Sequence, residues 1–476
     1  LGINIFLVIA CLGAAAGFAK VRTTLQSVPV VDIGSTLTPD APSTEPRNFL
    51  IIGTDSASRL DESDPITQGR SGLGRLADVI MILRVDPADG TAKLLSVPRD
   101  TRLAIAPDGR MDRINTGISG SNGPRNLIRT IKRNFGVSID NYVQVDFLAF
   151  KQLVEVLGGV PVYFATPVRD ANTGLKVEEP GCILLDRDQA LAYARSRHFQ
   201  FYFDGRWKND GTGDLGRITR QQDFIKRALR RASDKGIRNP GTAVGLVNAG
   251  TKAVTLDSTL DVGTILDLVR QFRNFNPDSL QTDQVPTIGA PRGGIAYQEV
   301  EWDPTLPLLL PFQGVAPGAE PTVSNVLVDV RGPSEDATTT SSELDTAGFD
   351  AEALDSGRSG SSTTVTYGPQ GRTAALLLAA QLEDLPTLKF DESIVGYRVI
   401  LNLGSGFGGV RSTPLPLDQL PPDLAPTPPT TTTLPPPTTV ATTVDGSTTS
   451  VPTENSNRPA PPGVVPTDPV KAAACH

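Results

Sequence analysis

Three apolar runs constrain what this chain can become. NFLII at Asn48 to Ile52, DVIMILRV at Asp78 to Val85 and KLLSV at Lys93 to Val97 are apolar at successive positions instead of alternating. A strand with one wet face alternates, whereas a continuous apolar strand is covered on both faces. The runs therefore predict central strands of a sheet held between two layers. Each run meets a charged group at one end: Asp55 follows the first, Asp78 opens the second, and Pro98 stops the third so that Arg99 and Asp100 lie at its end. Helical patterns alternate with these strands. Leu127, Ile128, Ile131 and Phe135 form one apolar stripe before Gly136, and Val262 to Phe272 forms another. YVQVDF, a helix through Leu153 and Val156, Gly158-Gly159 and VPVYF read as a strand, helix, strand unit. The expected class is α/β: a layered α-β-α domain with a central mixed sheet over residues 47–312.

The rest of the chain divides by composition. Residues 1–19 are an uncharged apolar run ended by Lys20 and Arg22, long enough for a bilayer-crossing helix, and are expected to be a signal anchor. A cleavage site at Gly17-Phe18-Ala19 and a lipobox at Val8 to Cys11 are the rival assignments; under any of the three the remainder of the chain is exported. Residues 20–46 are a polar, proline-bearing juxtamembrane linker. A smaller α/β domain is expected over 323–410, with strands at VLVDVR and YRVILNLG around the helix RTAALLLAAQL. Residues 411–476 are dominated by Pro, Thr and Ser and are expected to be a disordered tail.

Composition excludes several functions. The net charge of −8 argues against a nucleic-acid partner, whose phosphate backbone is bound by net positive surfaces. Two histidines, His198 and His476, are too few for a His-rich metal centre. Cys11, Cys182 and Cys475 match no zinc spacing. Only Cys182 falls in a folded region, as a packed small residue, so no disulfide framework is expected.

Against this acidic background stands a basic cassette between Leu191 and Gln222. Asp186 is placed to cap a helix beginning DRDQALAYAR, with Gln189 at the third position in a variant capping box, and that helix should run out near Tyr193. Arg195 and Arg197 follow two apart on an extended exit and so share a side. Arg217 and Gln221 are four apart on the next helix, while Ile218, Phe224, Ile225 and Leu229 form a separate apolar stripe. Two arrangements fit: a clamp whose guanidinium forks grip a diphosphate, or a solvated basic helix paired with Asp186, Asp188 and Asp214. The strand-end carboxylates add a second element. Asp55 and Asp78 either cap their loops or hold one hard cation, for which magnesium, with its preference for one or two carboxylates plus phosphate, is the candidate cofactor. Carboxylates facing arginines are what phosphoryl transfer requires.

The series NFLIIGTD, ADVIMILRV, LLSVPRDT, RINTGISG, YVQVDFLAFKQLVEVLGGVPV, LDRDQALAYARSR and DLGRITRQQ resembles the LytR-CpsA-Psr family of cell-wall enzymes, in the family's order, over roughly residues 47–312. The resemblance implies a membrane-anchored phosphotransferase with an extracytoplasmic catalytic domain. Such enzymes move a glycopolymer from a polyprenyl diphosphate carrier to peptidoglycan through a phosphodiester, releasing polyprenyl phosphate. By the same resemblance Asp55 and Asp78 are magnesium ligands, and Arg99, Arg195, Arg197, Arg217 and Gln221 contact the diphosphate. Two departures are visible: Arg75 stands three residues before Asp78 where the family has arginine two before, and Arg113 replaces a lysine. Both remain candidate substrate contacts. The general base is expected to be Asp100 or Asp214. Phe199, Phe201 and Phe203 alternate after Arg197 and either line a groove for the polyprenyl chain or pack the core. The 323–410 stretch resembles the LytR C-terminal domain more weakly. The alternative function is a non-catalytic envelope module that binds polyprenyl phosphate lipids or wall glycans.

Overall fold

The computed structural model of the protein describes residues 30–38, 45–54, 76–234, 254–260, 275–315, 321–355, 360–421 apart from 393 and 395, residue 424, and 471–475 apart from 473. Two compact units result, one of residues 1–317 with 461–476 and one of residues 318–460.

In the first unit a seven-stranded sheet runs in the order Val30–Val31, Val254–Asp257, Asn141–Val145, Arg47–Thr54, Ala77–Asp86, Thr91–Ser96, Gln281–Gln284. Arg47–Thr54 pairs antiparallel with Ala77–Asp86 and parallel with Asn141–Val145, so the sheet is mixed. All eight residues of Arg47–Thr54 are buried, as a continuous apolar run requires. Successive side chains point to opposite faces: Phe49, Ile51, Val79 and Met81 enter one core, and Leu50, Ile52, Ile80 and Ile82 enter the other. The second core is closed by helix α1 (Gly123–Phe135), whose Leu127, Ile128, Ile131 and Phe135 are buried and which ends at Gly136 in the left-handed region, φ 64°. The first is closed by α2 (Phe147–Val156), α3 (Arg187–Arg195) and α4 (Gly213–Asp234). This is the expected α-β-α layering.

Several expectations are corrected. The strand, helix, strand unit forms as expected, but its last strand, Val160–Phe164, pairs with Gly181–Leu185 as a ribbon separate from the central sheet. A four-stranded sheet lies beside it, in the order Leu175–Val177, Val168–Asp170, Gln200–Phe203, Arg206–Asn209. Strand pairing is a long-range choice that periodicity does not encode. Cys182 forms a disulfide with Cys475, Cα atoms 5.4 Å apart across 293 residues of sequence. A pair so remote has no spacing signature. The same bond, the burial of Leu420 and the 3-10 turn Leu417–Gln419 show that parts of 411–476 are structured. The 1–19 run, most of the 20–46 linker and the Val262–Phe272 helix lie outside the described residues. Among the described residues no helix is long and apolar enough to cross a membrane.

In the second unit a five-stranded sheet runs Asp350–Asp355, Leu327–Gly332, Arg398–Asn402, Thr364–Tyr367, Thr387–Phe390. Helices Ser334–Thr346 and Arg372–Gln381 complete it, and Val328, Val330, Leu378 and Leu401 lie in its core.

Candidate active site

Strand register assembles the site. Thr54 pairs with Ala77, and the Val97 N–H donates to the Ile80 carbonyl at 2.9 Å. The third strand is antiparallel to the second, with Ser96 beside Met81, so the chain leaving it carries Arg99 back to Asp78. Arg99 donates to Asp78 and lies 3.5 Å from Asp100 and 3.8 Å from Asp214. Arg217 lies 3.0 Å from Asp214 and donates to the Asp78 backbone carbonyl at 2.8 Å, while Arg197 stands 3.9 Å from Asp214. Arg113 reaches Asp100 at 3.4 Å. Asp78, Asp100 and Asp214 thus join Arg99, Arg113, Arg197 and Arg217 into one network. Of the carboxylates offered to a solvated basic helix, Asp186 caps α3 and Asp188 pairs with Lys151; only Asp214 faces these arginines.

A cavity of about 210 Å³ opens beside the network, lined by Asp78, Val79, Phe147, Asn172, Thr173, Arg195, Arg197, His198, Arg217 and Gln221. Arg217 is 4% exposed, which excludes a solvated helix face at this position. Burial lowers its pKa most, and repulsion from Arg99 and Arg197 adds to that against the attraction of Asp214 and Asp78. Arg99 is also penalised by burial, yet Asp78, Asp214 and Asp100 outweigh it and hold its pKa above the ordinary value. A crowded buried cation gains most from an added anion. Arg99 Nε, Arg217 Nε and Gln221 Oε1 are buried and make no hydrogen bond, while Asp214 Oδ1 is held by the Arg217 ion pair at 3.0 Å.

Local structure explains how the cassette is presented. The Asp186 side chain caps α3 by accepting from the Asp188 and Gln189 amides. The Gln189 side chain departs from a capping box: its oxygen accepts from the Lys176 N–H and its nitrogen donates to Gly174. Helix α3 continues to Arg195 instead of ending near Tyr193. Gln221 donates to the Ala194 carbonyl at 2.9 Å, and Gln222 donates to Ser96 Oγ and to the Asp283 carbonyl, so α4 is pinned to both α3 and the sheet. Gln221 therefore reaches the cavity with one of its two side-chain N–H donors used and its Oε1 without a partner.

Asp55 and Arg75 lie outside the described residues. Arg99, Arg113, Asp100 and Asp214 belong to the network without lining the cavity. Phe199 and Phe201 are 3% and 7% exposed and belong to the core, whereas Phe203 is 48% exposed, so the three form no common groove. The strand carrying them outruns the core that covers its beginning. Nothing in the spacing of Asn172, Thr173, Asp170 or Asp210 singles them out. Asp170 is buried and accepts from Ser196 Oγ and from the Arg197 and His198 N–H groups, while Asp210 pairs with Arg220 at 2.7 Å. His198, which neighbours Arg197 in sequence, lies 2.8 Å from Asn172 across the rim.

For a divalent ion, Asp78 supplies a hard oxygen donor at the cavity wall, the chemistry magnesium takes. Among the described residues no group of three or more His, Cys, Asp or Glu side chains gathers to hold a metal.

The profile of the LytR_cpsA_psr family matches residues 18–305. The chain belongs to the LytR_cpsA_psr family. Among relatives, the "Probable cell wall biosynthesis protein LcpB" of Corynebacterium glutamicum is 32% identical over 241 residues, 48% of this chain and 54% of that protein. A "Polyisoprenyl-teichoic acid--peptidoglycan teichoic acid transferase TagU" of Oceanobacillus iheyensis is 33% identical over 261 residues, 53% of this chain and 66% of that protein. The chain thus spans between half and two thirds of these relatives. Of solved structures, the "LytR-Csp2A-Psr enzyme from Actinomyces oris" superposes at a TM-score of 0.48 with 26% identity, covering 61% of this chain and 97% of that one. TagV of Bacillus subtilis superposes at 0.45 with 22% identity, covering 58% and 99%. The LytR_cpsA_psr match takes in every residue of the arginine-carboxylate network.

Proposed function

We propose that the protein is an extracytoplasmic phosphotransferase that moves a glycopolymer from a polyprenyl diphosphate carrier onto peptidoglycan and releases polyprenyl phosphate. The convergence of Arg99, Arg197 and Arg217 on Asp214 and Asp78 beside one cavity carries this reading. The names of relatives such as TagU supply the reaction class. Permanently charged forks fixed before substrate arrives stabilise charge that grows in the transition state without a reorganisation cost. The guanidinium groups bind and orient the diphosphate, a peptidoglycan hydroxyl attacks the glycan-side phosphorus, and the bond to the polyprenyl phosphate oxygen breaks. Asp214 is the better placed of the two candidate bases for the hydroxyl proton, because its Oδ1 faces Arg99, Arg197 and Arg217 together, whereas Asp100 meets Arg99 and Arg113. Asp100 then orients Arg99 and Arg113. Magnesium, held by Asp78 together with Asp55, would neutralise part of the diphosphate charge.

The test is transfer from a lipid-diphosphate glycan to peptidoglycan by the reconstituted protein. Arg197→Ala and Arg217→Ala are each expected to reduce turnover by two to three orders of magnitude, about 3–4 kcal/mol of transition-state stabilisation. Undiminished turnover in both variants refutes the clamp. Wild type that retains lipid in magnesium without turning it over is a binding module instead.

A further inference from the structure

The hairpin between the two halves of the cassette has features that the clamp does not use. Gln200–Phe203 pairs antiparallel with Arg206–Asn209 around a turn in which Asp204 takes φ 55°. Tyr202 and Phe203 are 40% and 48% exposed and are the large aromatic side chains that stand exposed among the described residues. Three cations accompany them. The Arg169 guanidinium lies 4.1 Å from the Trp207 ring centre and Lys208 Nζ lies 4.6 Å from the Phe203 ring centre, while Arg206 is exposed beside the turn. Among the described residues none of the three has a carboxylate within ion-pair distance, although the protein as a whole carries a net charge of −8.

We propose that this hairpin is a bilayer-contact element that lays its aromatic and cationic side chains on anionic phospholipid headgroups. Aromatic side chains with an apolar body and a polar tip settle at the membrane–water interface, and clustered Lys and Arg are drawn to an anionic leaflet. The arrangement suits lipid better than sugar. Three cations without a carboxylate partner among the described residues match the charge of an anionic headgroup, which a neutral sugar lacks, and Trp207 is flanked by Arg169 at 4.1 Å and by the Tyr202 ring at 5.5 Å. The position is also apt. His198, on the cavity rim, stands two residues before the hairpin, and Asn209 leads through the buried Asp210 into α4 with Arg217 and Gln221. Gln200 and Asn209 close the base of the hairpin with a 2.9 Å hydrogen bond. A headgroup plane at the hairpin would bring a lipid-borne diphosphate level with the clamp. This inference deepens the proposed reading, and its readout does not depend on turnover.

Trp207 reports the contact directly. The chain has two tryptophans, so Trp302→Phe leaves Trp207 alone. The full chain carrying that substitution is reconstituted into vesicles of phosphatidylcholine and phosphatidylglycerol, with and without brominated acyl chains. Brominated lipid is expected to cut Trp207 emission roughly twofold, as suits a ring about 5–10 Å into the interface. Omitting phosphatidylglycerol, or adding Phe203→Ser with Lys208→Glu, is expected to remove most of that quenching while the melting temperature holds. Trp207 emission that brominated lipid leaves unchanged overturns the proposal, as does equal quenching in purely zwitterionic vesicles. A response to soluble peptidoglycan fragments without lipid quenching overturns it in favour of a glycan surface. Failure of Arg197→Ala and Arg217→Ala to reduce transfer would strike the clamp and leave this result standing.

Discussion

Asp170→Asn is the perturbation with the most to say about how the clamp is held. One carboxylate oxygen, Oδ2, accepts from Ser196 Oγ at 2.6 Å, the His198 N–H at 2.9 Å and the Arg197 N–H at 3.1 Å, and Oδ1 accepts from the Asn172 N–H at 2.9 Å. Burial by itself pushes the carboxyl up, but the bonds from Ser196, His198 and Asn172 outweigh it and hold Asp170 below the usual carboxylate range. Asparagine has a single acceptor oxygen. Whichever way it turns, an NH₂ group faces either three donors or the Asn172 amide. Hydrogen bonds to a charged group are worth about 1.5–3 kcal/mol each, so the network should lose about 3–5 kcal/mol. For a unit of this size that is about 10 °C in melting temperature. The pH dependence has a definite sign. A carboxyl whose folded pKa is depressed contributes stability above its unfolded value, about 3.9, and loses it as pH falls toward the folded pKa. The gap between wild type and variant should be full at pH 7 and narrow below about pH 4. Because Asp170 fixes the backbone at Arg197, transfer should fall about tenfold to a hundredfold even where the variant is fully folded. Calorimetry across pH and the transfer assay below the melting point measure both effects. A variant that melts with wild type at pH 7 and transfers at the wild-type rate would refute the positioning argument.

Other expectations are more local. Asp210 and Arg220 form a buried pair at 2.7 Å, so Asp210→Asn should cost about 3–5 kcal/mol by denaturant unfolding, with part of it recovered when Arg220→Met is added. A Cβ on Gly123 would meet the Ile118 carbonyl oxygen at 1.8 Å, so Gly123→Ala should destabilise by about 1–3 kcal/mol; an unchanged melting curve would contradict that packing. A non-reducing digest should yield one peptide pair joining Cys182 to Cys475, and Cys475→Ser should remove it and lower stability by about 2–5 kcal/mol.

What the sequence determined by itself was whatever depends on near neighbours. The runs at Asn48, Asp78 and Lys93 became buried strands because side-chain alternation is a property of the extended backbone, so an unbroken run needs cover on both faces. Phe224, Ile225 and Leu229 became the core face of α4 with Ile218 buried beside them, and Asp186 became a cap, because both spacings close within a helical turn or two. Tertiary structure decided the rest. Arg217 meets the Asp78 carbonyl across 139 residues, Cys182 meets Cys475 across 293, and Asp170 meets the Arg197 backbone across 27. Of three alternating phenylalanines, two are buried and the third is exposed because the core ends between Phe201 and Phe203. Whether a charge is paired, buried or free to hold an anion depends on what the folded chain brings within a few ångströms of it, and local spacing carries no record of that.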